Sequence, residues 1–318
     1  MTATPIVEAR RLSKTYPGLD HPAVDGVDLS IARGRIFGLL GPNGAGKTTF
    51  MSMLSGLLAP TDGEILLDGE NVRRASSTQR RRIGLVPQDL ALYPSLTPRE
   101  NLSYFGGIQG LRGEKLEQRI EFCLQTADLT ALADRRVETF SGGLKRRLNL
   151  VIGLIHEPEL LILDEPTVGI DPQSRHFIYD NLRRLNAGGL SIIYTSHYME
   201  EVERLCHEIA VIDFGRIVAC GSVEEILNRL PSGKIMLRIA KALPERLQTQ
   251  LRKLDGVERA EFDGFAVMVE SRTPHATLAQ VLAVLDRNEV GVTSVSVGAV
   301  NLEQVFLALT GTQMRDGA

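Results

Sequence analysis

The sequence predicts an α/β fold: a parallel sheet with an antiparallel β edge and a helical subdomain, followed by a small C-terminal α+β domain of ferredoxin-like order. Three observations carry that reading. The apolar runs "RIFGLL", "ELLILDEPT" and "LSIIYTSH" end in polar residues and are separated by helical stretches, the alternation that a parallel sheet requires. The glycine-rich "GPNGAGKT" follows the first run at once and opens a helix. Beyond Leu230 the pattern changes to short alternating strands and amphipathic helices in β-α-β-β-α-β order.

Each element follows from its local pattern. "IVEARRLSKTY" and "AVDGVDLSIARG" alternate apolar and polar residues, are rich in Val and Ile, and read as strands at a sheet edge. "RIFGLL" is a buried strand, and "GEILLDGENV" offers a hairpin strand. From "LTPRENLSYFGGIQGL" to "LADRRVETF" the pattern is helical, with Pro98 near a helix start. "SRHFIYDNLRRLNAGG" is a helix between two buried strands. Pro231, Ser232 and Gly233 break the chain, so the expected domains are residues 1–230 and 231–318. In the second, "KIMLRI" is a strand, and Leu247, Leu251 and Leu254 share one helical face. Asp263-Gly264 forms a two-residue hairpin turn, and a helix carries Leu278, Val281, Leu282 and Leu285 before the strand "VTSVSV". A closing helix starts at Asn301, with Gln304 in capping-box position, and stops at Gly311.

Composition narrows the partners. A chain of 318 residues suits one large domain and one small one. A net charge of −3 supplies no global basic field, so no nucleic-acid partner is expected. Cys123, Cys206 and Cys220 share no metal-ligand spacing and read as packed, reduced thiols. The start lacks the apolar core of a signal peptide. No apolar run approaches the roughly 18 residues of a membrane span, so the chain itself is not expected to cross a bilayer.

"GPNGAGKTT", Gly41, Pro42, Asn43, Gly44, Ala45, Gly46, Lys47, Thr48 and Thr49, carries the first chemistry. Its glycines let backbone amides wrap a polyphosphate, Lys47 reaches the terminal phosphates, and Thr48 supplies a Mg²⁺ ligand. Asp164, at the end of "LLILD", suits Mg²⁺, and Glu165 beside it can polarise an attacking water. Lys47, Asp164, Glu165 and His197 all lie just after apolar runs, where ligands of parallel sheets bind. "TFSGGLKRRLNL" adds a second anion cradle: amides freed by Gly142 and Gly143 at a helix N-terminus behind Ser141. Lys145, Arg146 and Arg147 read as a solvated helix face, and His21, His156, His176, His207 and His275 as structural.

The ordered set "GPNGAGKTT", "LVPQD", "FSGGLKRR", "LLILDEPTVGIDP" and "TSH" resembles the nucleotide-binding subunit of an ABC transporter over residues 1 to about 230. That resemblance implies an ATPase that uses ATP and Mg²⁺. It implies that Gln88 touches Mg²⁺ and the attacking water while its loop senses the membrane partner. His197 would contact the γ-phosphate, and Tyr16 would stack on adenine. The resemblance also explains the second cradle: Ser141, Gly142 and Gly143 would cover the γ-phosphate held by a second copy, with Asp171 lining the subunit interface. Phe140 and Leu144 depart from the usual Leu and Gln without removing those donors.

"EPTVGIDPQSR", "SHYMEEVERLCHEIAVIDFGRIVACGS" and "NLEQVFLALTG" look like the daunorubicin-resistance type (ABC-2 class) of exporter ATPase. The resemblance implies a homodimer docked on a separate permease at the cytoplasmic face of the membrane. A soluble ABC ATPase acting on DNA or ribosomes is the alternative; its tandem phosphate loops or long coiled coils are not seen in the sequence. The second domain is expected to act as a dimer clamp through Phe306 and Leu309, or else as an effector sensor.

Overall fold

The computed structural model describes residues 5–196, 198–227, 233–298, 302–303 and 305–306. The chain divides into two compact units, one within Met1–Val223 and one within Glu224–Leu309. In the first, β1 (Val7–Lys14), β2 (Val24–Ile31), β4 (Asp62–Leu67) and β5 (Glu70–Asn71) form an antiparallel sheet of order β2-β1-β4-β5. Its inward residues, among them Val7, Leu12, Val27 and Ile65, share one apolar cluster with Phe50, Met53 and Leu54 of α1 (Lys47–Leu54). Burying each such side chain contributes about 1.5–3 kcal/mol.

The second sheet has the order β10-β9-β3-β8-β7-β6 among the described residues. It comprises β3 (Ile36–Leu40), β6 (Ile83–Val86), β7 (Leu160–Asp164), β8 (Ser191–Thr195), β9 (Glu208–Asp213) and β10 (Arg216–Ser222). Every residue of β3, β7 and β8 is buried, as continuous apolar strands must be when both faces are covered. The parallel register pairs Leu39 with Thr195, Asp164 with Thr195 and Val86 with Leu163. The segments after β3, β6, β7 and β8 therefore leave the sheet along one margin. At the opposite margin Arg33 and Arg82 both pair with Asp68 and Glu159, at 2.6–2.9 Å. These partners hold the Asp68 and Glu159 carboxyls below their usual range.

After a short α2 (Ser77–Arg80) come the helices α3 (Pro98–Ile108), α4 (Gly113–Thr126) and α5 (Gly142–Ile152). Pro98 is a first-turn residue, and Thr97 and Glu100 close a reciprocal capping box. Buried Asn101 grips Tyr93 on both sides, accepting from its amide at 2.9 Å and donating to its carbonyl at 3.1 Å. The loop after β6 is thereby fixed to α3. α6 (Pro172–Ala187) joins β7 to β8, and α7 (Met199–Leu205) joins β8 to β9.

The second unit starts in α8 (Val223–Leu227), which begins at the boundary. It continues with β11 (Gly233–Ile239), α9 (Glu245–Arg252), β12 (Val257–Asp263), β13 (Ala266–Ser271), α10 (Pro274–Arg287) and β14 (Val292–Gly298). The sheet order β12-β13-β11-β14, antiparallel throughout, is that of a split β-α-β unit. Ile235, Leu237, Leu247, Leu251, Val269, Val281 and Leu285 build its core. Leu254, Leu278 and Leu282 are only partly buried, and Val284 joins the core instead. The hairpin turn sits one residue later than expected. Asp263 pairs with Ala266, so Gly264 and Phe265 make the turn, with Gly264 at φ 56° in the first position.

Pro231, Ser232, Asn301, Gln304, Leu309 and Gly311 lie outside the described residues; Leu302, Val305 and Phe306 are buried. Cys123 and Cys206 are packed as expected, but Cys220 is exposed, next to buried Ala219 in β10, whose side chains alternate between the two faces of the sheet. No described helix is long and apolar enough to cross a membrane.

Candidate nucleotide site

The phosphate loop bridges β3 and α1 at the shared margin of the sheet. Gly46 caps α1 at φ 106°, and a β-carbon there would lie 2.2 Å from the Ala23 carbonyl oxygen, so the loop closes only on glycine. The cap supplies no side-chain hydrogen bond and the first turn no acid. The first-turn amides are thus left to serve an external anion. Asn43, Gly44 and Thr48 are exposed on the rim, while Gly41 and Ala45 are buried. Lys47 is 6% exposed, and its Nζ donates to the carbonyls of Gly41 at 2.8 Å and Pro42 at 3.1 Å. Burial pushes its pKa down, opposed by the nearby Glu165 and Asp164 carboxylates. A buried ammonium in that state gains from a phosphate.

Asp164 and Glu165 end β7, with 9% and 8% exposure. Asp164 Oδ2 lies 3.5 Å from Thr48 Oγ1, across from the start of α1. Its Oδ1 accepts from Thr195 Oγ1 at 2.7 Å, and the same Thr195 oxygen accepts from the Glu165 amide at 2.9 Å. Thr195 therefore fixes both acids from the neighbouring strand. Glu165 adopts φ 45°, a left-handed conformation costing roughly 1–2 kcal/mol for a residue with a β-carbon. Strain of this kind concentrates at functional sites. Sequence reasoning missed Thr195; the signal was a hydroxyl at the last position of a buried strand. Tyr16 is half-buried, with its hydroxyl 3.5 Å from Thr49 Oγ1 and Lys14 Nζ 5.5 Å from its ring centre.

The hydroxyl of Thr48 and the carboxylate of Asp164 are hard oxygen donors within reach of one ion, which fits Mg²⁺. Among the described residues no cluster of three or more His, Cys, Asp or Glu could hold a metal instead.

The second cradle also stands on a helix start. Ser141 caps α5, its Oγ accepting from the Leu144 amide at 3.4 Å, and Ser141 and Gly142 are exposed. Gly143 is buried against α6. Asp171 caps that helix, with its Oδ1 accepting from the Ser174 amide at 2.9 Å. Hydrogen bonds from Ser174 hold the Asp171 carboxyl below its ordinary range. The two helix N-termini abut.

α5 reaches further than expected. Arg146 is not a solvated charge: its guanidinium donates to the carbonyls of Gln88 and Val168, the latter at 3.3 Å. Burial lowers its pKa. Arg147 is 13% exposed and stacks over Phe177 at 3.7 Å. Both turn inward because α5 packs between the Gln88 loop and α6. Asn149 adds bonds to the Ala91 amide at 3.1 Å and the Pro87 carbonyl at 3.3 Å. The Gln88 segment thus hangs on α5, while Gln88 itself is exposed. His197 lies outside the described residues. His156 and His207 contact backbone, the former beside the Ile83 carbonyl at 3.0 Å, the latter accepting from the Ile36 amide at 3.1 Å.

A phosphate loop after one strand, an Asp-Glu pair ending another and an exposed second cradle define a P-loop ATPase of the ABC type. Residues 24–168 match the ABC transporter family. The chain is 39% identical over 313 residues to the linearmycin resistance ATP-binding protein LnrL of Bacillus subtilis (strain 168), covering 98% of this chain and 100% of that protein. It is 42% identical to Nod factor export ATP-binding protein I of Cupriavidus metallidurans (strain ATCC 43123 / DSM 2839 / NBRC 102507 / CH34), over 98% and 100% of the two chains. A solved dimeric ATP-binding cassette in a post-hydrolysis state, bound to ADP and Pi, matches with a TM-score of 0.61 and 25% identity, over 68% of this chain and 98% of that one. The chain belongs to the ABC transporter family of ATP-binding subunits; it is an ATPase that takes ATP with Mg²⁺. These relatives do not favour a soluble ATPase acting on DNA or ribosomes.

Proposed function

We propose that this chain is the motor subunit of an exporter, working as two copies on a separate permease at the cytoplasmic face of the membrane. The observation that carries the proposal is the exposed helix start at Ser141 and Gly142, locked to the helix capped by Asp171. A charge-seeking surface of this kind suits the phosphate held by a second copy. The dimeric neighbour supports pairing, and relatives named for resistance and export support the outward direction.

Within that reading the loop Gly41–Thr49 binds the polyphosphate through its amides. Lys47 stabilises the terminal phosphates, and Tyr16 stacks on the base. Thr48, Asp164 and Gln88 would hold Mg²⁺, which would supply positive charge to the phosphate oxygens. Glu165, oriented by Thr195, takes a proton from the attacking water, and His197 steadies the γ-phosphate. Ser141, Gly142, Gly143 and Asp171 complete the partner's pocket, so hydrolysis reopens the pair.

The Gln88 loop faces the permease. Beside it Tyr93 and Tyr104, with ring centres 4.8 Å apart, are 42% and 45% exposed, and Leu90 and Ile108 extend the apolar surface. Exposed aromatic residues on that scale suit a docking partner. Residues 231–318 form an accessory domain that clamps the pair.

Glu165→Gln tests the reading. The variant is expected to keep ATP and accumulate as a dimer on size exclusion, and the wild type to co-purify with a membrane protein. Full turnover by the variant removes Glu165 as the base; co-purification with nucleic acid removes the permease.

A further inference from the structure

Glu201 is a buried carboxylate that none of the roles above uses. It lies on α7 at 3% exposure, among the buried apolar residues Met199, Val202 and Leu205. An ionised side chain in such a place is costly unless donors surround it. Donors do surround it. Thr167 Oγ1 lies 3.0 Å from Oε1 and 2.8 Å from Oε2. The Tyr194 hydroxyl donates to Oε2 at 2.7 Å, and Ser196 Oγ donates to the same oxygen at 2.8 Å. Arg175 Nε stands 3.5 Å from Oε1. Ser196 Oγ in turn accepts from the Tyr198 amide at 3.0 Å.

These donors come from separate parts of the site. Thr167 stands in the turn closed by the Val168 amide and the Glu165 carbonyl at 3.3 Å. Tyr194 belongs to β8, next to the Thr195 that holds Asp164 and Glu165. Arg175 belongs to α6, one turn after Asp171. The left-handed Glu165 is consequently held twice, by Thr195 at its own amide and by Glu201 through Thr167 two residues on.

We propose that Glu201 is a positioning residue for hydrolysis: its carboxylate anchors Thr167 and so holds the turn that carries Glu165. The inference rests on the reading of Glu165 as the base. Glu201 touches no reacting atom; it acts on how often the turn is in its productive geometry, and therefore on turnover more than on ATP affinity. Its carboxylate receives converging hydroxyl donors, whereas an amide of the same shape presents one acceptor oxygen and two N–H groups. Glu201→Gln therefore disturbs the anchor with little change in volume. Thr167→Val removes the hydroxyl from the other side.

The test measures ATPase kinetics and ATP binding for Glu201→Gln, Thr167→Val, the double variant and Glu165→Gln. Expected are falls in kcat of about tenfold for each of the first two, with KM for ATP within about twofold. The double variant should be no worse than the weaker single, the non-additivity of two ends of one contact. If Glu201→Gln does not fold, Thr167→Val decides alone. The proposal is overturned if kcat stays near wild type, if the loss lies in ATP affinity with kcat intact, or if the effects add. Glu165→Gln separates the two readings: if it turns over at full speed, the base assignment fails whatever the Glu201 variants do. If it is dead while both Glu201→Gln and Thr167→Val are normal, only the positioning role fails.

Discussion

Gly143 lies so close to Ser174 that a β-carbon on it would come 2.0 Å from the Ser174 Oγ and 2.8 Å from its Cβ. The starts of α5 and α6 meet with no room for a methyl group, so the cradle at Ser141 and the cap at Asp171 move as one piece.

Gly143→Ala is expected to push these helix starts apart. Overpacking of this kind costs about 1–3 kcal/mol. The loss should fall on pairing: the Glu165→Gln background should form its ATP-dependent dimer about 10–100-fold more weakly, while a single chain still binds nucleotide. Analytical ultracentrifugation and nucleotide titration separate the two effects.

Lys47 makes a pH-dependent expectation. Its folded pKa is lowered by burial, so the folded protein binds fewer protons than the unfolded chain between that value and the ordinary lysine value of about 10.4. The contribution of Lys47 to stability then rises with pH through this window, because the unfolded state holds more protons there. The buried Cys123 and Cys206 thiols, pushed up by burial, act in the opposite sense, so the Lys47 part is read as a difference: across the window the nucleotide-free wild type should gain stability relative to Lys47→Met in melting curves. The same variant should hydrolyse ATP about 10²–10³-fold more slowly, through loss of a phosphate donor.

Arg146 predicts a shared local opening. Arg146→Ala removes the donor common to Gln88 and Val168. Amide hydrogen exchange should accelerate together at residues 86–91 and 166–170, with the distant β1–β2 strands unchanged. Arg146→Lys, a point charge in place of a planar fork, should restore one segment at most.

Removing residues 232–318 tests the clamp. The first unit has its own core and is expected to stay folded and bind ATP. Its trapped dimer should dissociate faster than the full chain's; identical lifetimes, with ATPase unchanged, would favour a sensor.

The parallel strands and the phosphate loop were legible because buried runs ending in glycine or acid have few other uses, as "LLILDE" and "FGLLGPNGAGKT" show. What the sequence hid was decided by packing. Thr195 looks like any strand-end hydroxyl until β7 and β8 are set side by side. Arg146 reads as a surface charge because helix periodicity says which residues share a face and not what lies opposite. The Gly264-Phe265 turn was misplaced by one residue because Asp-Gly is a strong local signal, whereas register belongs to the whole sheet.

The ion cluster of Arg33, Arg82, Asp68 and Glu159 has a mechanical consequence. It ties the roots of β3, β6 and β7 together, while the phosphate loop, Gln88 and Glu165 all hang from the opposite tips. A fan pinned at its base spreads only at the rim. Rearrangement around a bound triphosphate is thus expected at the tips, with the strands beneath serving as the anvil against which those tips work.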